Sequence, residues 1–282
     1  MKSRRKFLKL SGAALGGTLF LNKTSVGAFV KEVNSFGFQV WTIRKELVKD
    51  FNGTLKKMAA MGYNEVEMCS PLGYSNSGFE PLNRYSGKEM RKIIEDAGLI
   101  CTSSHYNMSE LRNHLDNRID WASGIGMKQM IVASLGLPKE ASADDYRRAA
   151  DELNEIGAKT NKAGIQLGFH NHHIEFEKRG NDLIYDILLN QFEPDLVKLQ
   201  FQVAVIDLGY KAEDYFRKYP GRFISAHLAD YSRSAQKQVP IGQGMVNWKD
   251  FFDAAKENGV KNFYVEMEPE FFKPSADYLK FV

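Results

Sequence analysis

The sequence predicts a closed (β/α)8 barrel of parallel strands. From Phe36 onward, short apolar segments typical of buried strands alternate with segments typical of helices, and eight such pairs follow one another with short connections. Polar side chains recur where the strands end, as at His170, Gln202, His227 and Glu266. The carboxyl ends of barrel strands meet at one face, where active sites form. No G-x-G-x-x-G motif follows a strand, which weighs against a dinucleotide-binding sheet.

The individual elements follow from hydrophobic periodicity and from helix end signals. The predicted strands are 36–41, 63–68, 99–104, 129–133, 165–176, 197–202, 223–227 and 262–267. The predicted helices are 45–61, 87–97, 110–125, 142–163, 181–190, 212–219, 247–258 and 275–281. Gly62 and Gly164 follow two helices directly, as capping glycines do, and Ser142 with Asp145 forms a capping-box pattern. Residues 70–85 are expected to form a long loop.

Residues 1–28 have the features of an export signal. The motif S-R-R-K-F-L-K at residues 3–9 matches the twin-arginine motif closely, a weakly apolar run follows, and Val26-Gly27-Ala28 offers a small-residue cleavage site. The run is too short and too rich in glycine to span a membrane as a helix. We expect a twin-arginine signal peptide at 1–28, a single barrel domain at 29–282, a periplasmic location, and no stable membrane insertion after signal removal. The alternative is a disordered basic N-terminus.

The charge balance argues against nucleic acid as a partner. The 282-residue chain has a formal net charge of +3, but six of its 38 Lys and Arg and none of its 35 Asp and Glu fall within residues 1–28, so residues 29–282 carry −3. A mildly acidic protein lacks the basic surface of a nucleic-acid binder. Cys69 and Cys101 fall near opposite ends of neighbouring predicted strands, so we expect two buried thiols and no disulfide.

Side chains at or near the strand ends form the set of candidate functional residues. Imidazole and carboxylate groups are good ligands for Mn²⁺, Zn²⁺ or Mg²⁺, and such an ion can hold the hydroxyl and carbonyl oxygens of a sugar. A nearby Glu or His can then move a proton on the neighbouring carbon, and His105 and Glu175 are the candidates for this step. The expected substrate contacts are Gln39, Trp41, Glu67, His172 and Gln202.

Some of these residues also have a purely structural interpretation. A single histidine such as His105 is commonly a hydrogen-bonded structural residue. Trp41 suits packing at the barrel mouth as well as stacking on a sugar. The segment Gly242-Gln243-Gly244, after the seventh strand, suits either a plain turn or a loop that exposes backbone N–H groups to an anion.

From Phe36 onward the chain resembles the sugar phosphate isomerase/epimerase family, whose fold is the xylose isomerase-like TIM barrel. The motifs that carry the resemblance are F-G-F-Q-V-W-T-I-R, G-F-H-N-H-H-I-E-F, F-R-K-Y-P-G-R-F-I-S-A-H-L-A-D, I-G-Q-G-M-V-N-W-K-D-F-F and V-K-N-F-Y-V-E. The resemblance implies a divalent-metal site and proton-transfer chemistry on sugars or polyols. It also implies that His227 and Glu266 are metal ligands, with His170 or His172 of the fifth strand as a further ligand.

Four positions depart from the family pattern. Gln202 stands where an Asp is usual, Val205 replaces a bulky aromatic residue, Gln243 replaces an acidic residue, and Ala229 replaces a Lys. Replacing Asp by Gln removes a negative charge and leaves a weaker, neutral oxygen ligand. Three outcomes stay open: weak metal binding, metal binding through another carboxylate such as Glu175 or Glu67, or no metal binding.

The expected function is that of an exported, metal-dependent sugar isomerase, epimerase or lyase acting next to a carbonyl group. Its expected partner is a small unphosphorylated sugar or polyol, and a homo-oligomer stays open. The alternative is a barrel that has lost catalysis and acts as a sugar-binding or accessory protein. Gln202 and Gln243 are the residues that favour this alternative. An abasic-site nuclease of related fold is disfavoured by the acidic mature chain and the export motif.

Overall fold

The computed structural model describes residues 36–282, and within them eight parallel strands close into a barrel. In chain order the barrel strands are β1 (Phe36–Gln39), β2 (Glu65–Cys69), β3 (Ile100–Asn107), β4 (Gln129–Ser134), β5 (Gln166–His170), β6 (Val197–Gln202), β7 (Phe223–Leu228) and β8 (Asn262–Val265). Each strand pairs with the next one along the chain and β8 pairs with β1, which confirms the predicted (β/α)8 barrel. The predicted export signal lies outside the described residues.

The helices of the described range surround this barrel. They are α1 (Arg44–Lys49), α2 (Phe51–Met61), α3 (Gly87–Asp96), α4 (Met108–Ile125), α5 (Ala143–Lys162), α6 (Ile184–Gln191), α7 (Ala212–Lys218), α8 (Trp248–Glu257) and α9 (Phe272–Leu279). The single helix predicted for 45–61 is wrong, because Asp50 leaves helical geometry and its side chain caps α2, accepting a hydrogen bond from Gly53 N–H at 2.9 Å. The capping box of Ser142 and Asp145 is confirmed. No helix between residues 36 and 282 is long and apolar enough to cross a membrane.

Apolar packing holds the helices against the barrel, whereas the barrel interior near the site is polar. Phe38 of β1, Leu199 of β6 and Leu153 of α5 are fully buried in one apolar core. Burial of such surface stabilises the fold by roughly 25 cal/mol per Å² of apolar area. Glu67 of β2 contacts His227 of β7 although these strands are not neighbours, so both side chains point into the barrel. A polar interior is what brings the strand-end residues together.

Several strand ends differ from the prediction by a few residues, and the differences at β3 and β5 shape the site. β3 runs on to Asn107, so His105 lies within the strand rather than after it. The predicted strand 165–176 is wrong beyond His170, where a 3₁₀ turn at His173–Phe176 follows. Asn171, between them, accepts a hydrogen bond on its side-chain oxygen from the Gln202 N–H at 3.1 Å. This bond ties the end of β5 to the end of β6.

The carboxylate of Asp230, just after β7, organises the loop that follows. It accepts hydrogen bonds from the backbone N–H groups of Gly242, Gly244 and Val246 at 3.0–3.2 Å and from the Trp248 ring N–H at 2.9 Å. These N–H groups are committed to Asp230. The Gly242–Gly244 segment is therefore a turn held by a buried carboxylate rather than an anion-binding loop.

Candidate active site

His227 is held between two carboxylates inside the barrel mouth. Its Nε2 contacts Glu67 Oε2, and its Nδ1 lies 2.9 Å from Glu266 Oε2. Burial opposes a charged imidazole, but the two carboxylates prevail and raise the pKa of His227 to about 9. The same pairing lowers the pKa of Glu266 against the opposing effect of its own burial. Without a bound ion, this trio is a protonated imidazole shared by two carboxylates.

Glu67 is the buried anchor of the site. Besides His227, it accepts hydrogen bonds from Ser103 Oγ at 2.6 Å and Gln200 Nε2 at 2.8 Å, and it lies 3.1 Å from His105 Nε2. Burial alone would raise the pKa of Glu67, but the two neighbouring imidazoles hold it well below its usual range. The side chain is fully buried and does not line the cavity described below. Glu67 is thus placed to orient imidazoles, and its predicted contact with a substrate stays a prediction.

Three imidazoles meet at this point of the barrel. The rings of His105 and His227 stack at 5.0 Å with planes 6° apart, and the rings of His170 and His227 lie 4.4 Å apart. Each of the three can offer one ring nitrogen such that the nitrogens lie within 4.8 Å of one another. Nδ1 of His170 is buried without a hydrogen-bond partner, and burial keeps the pKa of this ring well below its usual value. Among the three, His170 is the neutral, buried imidazole with an unused nitrogen, and such a group fits a divalent metal ion.

Gln202 does not offer its oxygen to this cluster. Its side-chain Oε1 accepts a hydrogen bond from Ala204 N–H at 3.2 Å, and its Nε2 donates to Glu266 Oε2 at 2.7 Å. The amide therefore presents its hydrogens, not a lone pair, to the carboxylate that the resemblance assigns to the metal. Gln202 is 7% exposed and does not line the cavity, so a direct substrate contact by this residue also stays a prediction.

A cavity of about 330 Å³ opens above the imidazoles at the carboxyl ends of the strands. Seven of the ten predicted site residues line it: Gln39, Trp41, His105, His170, His172, Glu175 and Glu266. Glu67, Gln202 and His227 lie behind this lining. The remaining lining residues are Cys69, Tyr74, Ala133, Ser134 and Ile174.

One wall of the cavity is aromatic and rests on the loop after β2. The Trp41 ring contacts Tyr74 edge-on at 5.8 Å and Phe79 at 6.3 Å, and the Arg44 guanidinium lies 4.6 Å from its centroid. Gln39 orients the chain here, since its Oε1 accepts a hydrogen bond from Trp41 N–H. Trp41 is half-buried and lines the cavity, so both structural packing and contact with a ligand are available to it.

Glu175, another residue that lines the cavity, is the acidic group best suited to act as a general base. Glu175 is buried, and its Oε2 accepts a hydrogen bond from His172 N–H at 2.6 Å. Burial outweighs this hydrogen bond and raises the pKa of Glu175 to about 7. A carboxyl that titrates near neutrality can both take and return a proton at physiological pH.

Sequence reasoning missed four residues that complete the site. Cys69, one of two buried free thiols as predicted, accepts a hydrogen bond from Gln39 Nε2 at 3.2 Å. Tyr74 belongs to the loop after β2, which carried no periodic signal, and Ile174 belongs to the 3₁₀ turn after β5. Gln200 bridges Glu67 and His105: its Nε2 donates to Glu67 Oε1 at 2.8 Å, and its Oε1 accepts from His105 Nε2 at 2.8 Å. Its position two residues before Gln202, on the same face of β6, was the available signal.

A family model described as xylose isomerase-like TIM barrel matches residues 55–280, most of the chain. The chain belongs to the xylose isomerase-like TIM barrel family. The crystal structure of a sugar phosphate isomerase/epimerase from Parabacteroides distasonis is similar over 91% of this chain and 97% of its own, with a TM-score of 0.75 and 25% identity. An inosose dehydratase from Lacticaseibacillus casei is 24% identical over 57% of this chain, and the match spans only 65% of that enzyme's length.

Two similar solved structures hold different metals. A xylose isomerase-like TIM barrel protein from Mycobacterium smegmatis is in complex with magnesium (TM-score 0.63, 16% identity, 87% of this chain and 95% of that one). A protein described as IOLI carries a zinc atom (TM-score 0.62, 16% identity, 87% and 94%). At this identity the likeness shows the shared barrel alone. The ion that fits the present chain must therefore be inferred from its own donor atoms.

Proposed function

We propose that this protein is a metal-dependent isomerase or epimerase that moves a proton on the carbon next to a carbonyl group of a small sugar. One observation carries the proposal. His105 and His170 of the buried histidine cluster line the same cavity as Glu175. The family relationship and the sugar phosphate isomerase/epimerase from Parabacteroides distasonis support it.

Glu175 is the proton-transfer group in this proposal. It lines the cavity, and its pKa of about 7 suits it to take the proton from the carbon beside the carbonyl and to return it. Of the two candidates from the sequence, His105 is less free for this step, because Gln200 and Glu67 both engage its Nε2. A divalent ion held by the imidazoles would supply positive charge to stabilise the developing enolate oxygen.

The substrate is proposed to be unphosphorylated. No Lys or Arg lies among the described residues that line the cavity, so neither a guanidinium nor an ammonium group there is placed to pair with a phosphate dianion. A volume of about 330 Å³ is at the small end of ligand sites and suits a single sugar ring. Trp41 offers an aromatic face to that ring.

The same first step also serves elimination. When a hydroxyl group sits one carbon beyond the abstracted proton, its departure as water makes the enzyme a dehydratase. The similarity to an inosose dehydratase motivates this variant of the proposal. Export to the periplasm by the twin-arginine route, motivated by residues 3–9, is proposed as the setting.

The test is proton exchange in D₂O followed by nuclear magnetic resonance. Metal-loaded protein is incubated with a panel of unphosphorylated aldoses, ketoses, uronic acids and inososes, and with hexose phosphates for comparison. We expect deuterium uptake beside the carbonyl for an unphosphorylated member, at least a hundredfold slower in Glu175→Gln. The exposed neighbour change Glu177→Gln should leave the rate unchanged. Preference for a hexose phosphate would contradict the substrate proposal, and binding without exchange would favour the sugar-binding or accessory role.

A further inference from the structure

The donor atoms that the site offers are nitrogens rather than oxygens. His105, His170 and His227 are all buried, and one ring nitrogen of each lies within 4.8 Å of the other two. Both nitrogens of His227 contact carboxylates, Nε2 that of Glu67 and Nδ1 that of Glu266, so a bound metal ion would take the place of one of these contacts. Nδ1 of His170 has no hydrogen-bond partner, which is costly for a buried polar atom. A metal ion is the kind of partner that satisfies such an atom.

The orientation of the Gln202 amide is fixed by its neighbours. Turning the amide by 180° would set Oε1 against Glu266 Oε2, two acceptors, and would set the NH₂ group against Ala204 N–H, two donors. Both contacts would be lost, so the amide oxygen is not available as a metal ligand. Gln202 instead restrains Glu266, whose Oε2 accepts the hydrogen bond of His227 Nδ1. A carboxylate that orients a histidine in this way typically supports a metal-binding ring from behind.

A set of three imidazole nitrogens binds some metal ions more tightly than others. Mg²⁺ favours oxygen ligands and water, whereas imidazole nitrogen suits Zn²⁺ and related late transition-metal ions. Zn–N bonds of 2.0–2.1 Å place ligand nitrogens roughly 3.3 Å apart in a tetrahedral site, and the three ring nitrogens here lie within 4.8 Å of one another.

We propose that this site selects Zn²⁺ or a similar late transition-metal ion over Mg²⁺ and Mn²⁺, with His105 as a ligand alongside His170 and His227, and with Gln202 as a positioning residue. The proposal rests on the proposed function, whose metal ion it names. It departs from the ligand set expected from the resemblance, because His105 takes the place that an oxygen ligand at position 202 would fill.

The experiment measures metal binding without any substrate. Purified protein is stripped with a chelator and titrated separately with Zn²⁺, Mn²⁺ and Mg²⁺ by calorimetry, and the Zn²⁺ form is examined by X-ray absorption spectroscopy. We expect one Zn²⁺ per chain, three imidazole ligands in the absorption spectrum, and Mn²⁺ and Mg²⁺ affinities lower by at least a hundredfold.

Variants separate ligands from neighbours. His105→Asn and His170→Gln should each weaken Zn²⁺ binding by about tenfold or more and remove one imidazole from the spectrum. The spectrum of Gln202→Ala should still show three imidazole ligands. In Gln202→Asp the ratio of Zn²⁺ to Mn²⁺ affinity should fall by about tenfold, because the aspartate adds a charged oxygen that suits Mn²⁺. His114→Asn, at an exposed histidine on α4, is the control. Circular dichroism checks folding, and His105→Gln replaces the Asn variant if that one unfolds.

Several results would overturn the proposal: one imidazole or none in the spectrum, undiminished affinity in folded His105 variants, or Mn²⁺ bound as tightly as Zn²⁺. Proton exchange on a sugar by a protein with any of these properties would leave the proposed function standing and remove only the zinc proposal. A zinc site with three imidazole ligands in a protein that exchanges no proton would support the zinc proposal and remove the proposed function.

Discussion

The side-chain amide of Gln202 donates a hydrogen bond of 2.7 Å to Glu266 Oε2, the same oxygen that accepts from His227 Nδ1 at 2.9 Å. One carboxylate oxygen thus joins side chains from β6 and β7 to the segment just after β8. An aspartate at position 202 could not make this contact, since two carboxylates repel each other at such a distance. The residue at 202 therefore decides whether Glu266 is restrained by the protein or left free to hold an ion.

Glu67 is expected to be the most sensitive residue of the site for stability. Its carboxylate accepts from Ser103, Gln200 and the two imidazoles of His105 and His227 in a fully buried position. Glu67→Gln removes the charge and turns an NH₂ donor toward other donors. It should lower the free energy of unfolding of the metal-free protein by about 3 kcal/mol or more. Urea unfolding at pH 7 measures this.

A matched surface change gives the reference for that measurement. Glu268 is exposed two residues beyond Glu266, and Glu268→Gln should alter the free energy of unfolding by no more than about 0.5 kcal/mol. A loss below 1 kcal/mol for Glu67→Gln would mean that Glu67 does not anchor the imidazoles.

Export is predicted to depend on the paired arginines. Changing Arg4 and Arg5 together to Lys keeps the charge of the N-terminus but removes the twin-arginine pattern. The double variant should accumulate in the cytoplasm, whereas the wild type should be found in the periplasm after cell fractionation. Lys2→Gln, which alters charge outside the motif, serves as the control. Normal export of the double variant would show that this motif does not direct the protein.

The barrel was predictable from the sequence because its signals are local. Alternating apolar segments and glycine stops reveal strands and helices one at a time, and the closure of eight such units follows. The break between α1 and α2 was missed because Asp50 leaves helical geometry and caps α2 within an otherwise continuous helical pattern. The overlong fifth strand has a related cause: Ile174 to Phe176 alternates as a strand does, yet these residues belong to a 3₁₀ turn and Asn171 is bonded across to β6.

The site was only partly predictable, because the position of a residue along a strand does not show which of its side-chain atoms contacts which partner. Strand ends identified His170, His227 and Glu266 as neighbours, and the structure brings them together. The burial of Glu67 and the direction of the Gln202 amide depend on contacts between strands far apart in sequence. Tyr74 enters from a loop whose course no periodicity describes.

Trp41 should report ligand binding through its fluorescence. Among the three tryptophans, Trp41 lines the cavity, whereas Trp248 is buried beside Asp230 and Trp121 lies on α4. A sugar stacked on the indole should change the emission on titration. Trp41→Phe should abolish that change and, through the smaller ring, weaken binding severalfold, while Trp121→Phe should preserve both. An unchanged signal in Trp41→Phe would place the ligand away from this wall.

A pH-dependent contribution to stability is predicted from Glu110, away from the histidine cluster. This residue on α4 is 4% exposed, and its Oε2 has no hydrogen-bond partner. Burial raises the pKa of Glu110 from 4.5 to about 7, against the opposing effects of the Ser70 hydroxyl and of Arg118, whose Nη1 lies 3.6 Å away. Because the folded pKa lies above the unfolded one, the contribution is fully present below about pH 4.5 and is lost as the pH rises through about 7.

Glu110→Gln mimics the neutral acid and should remove this loss. Relative to wild type, the variant should be similar in stability near pH 4.5 and more stable near pH 8, by about 3 kcal/mol for the shift of the Glu110 pKa. Urea unfolding of both metal-free proteins from pH 4.5 to 8 gives the difference, in which titrations common to both cancel. Glu268→Gln should show no such trend. A difference that stays constant with pH would mean that Glu110 is ionised in the folded protein throughout this range.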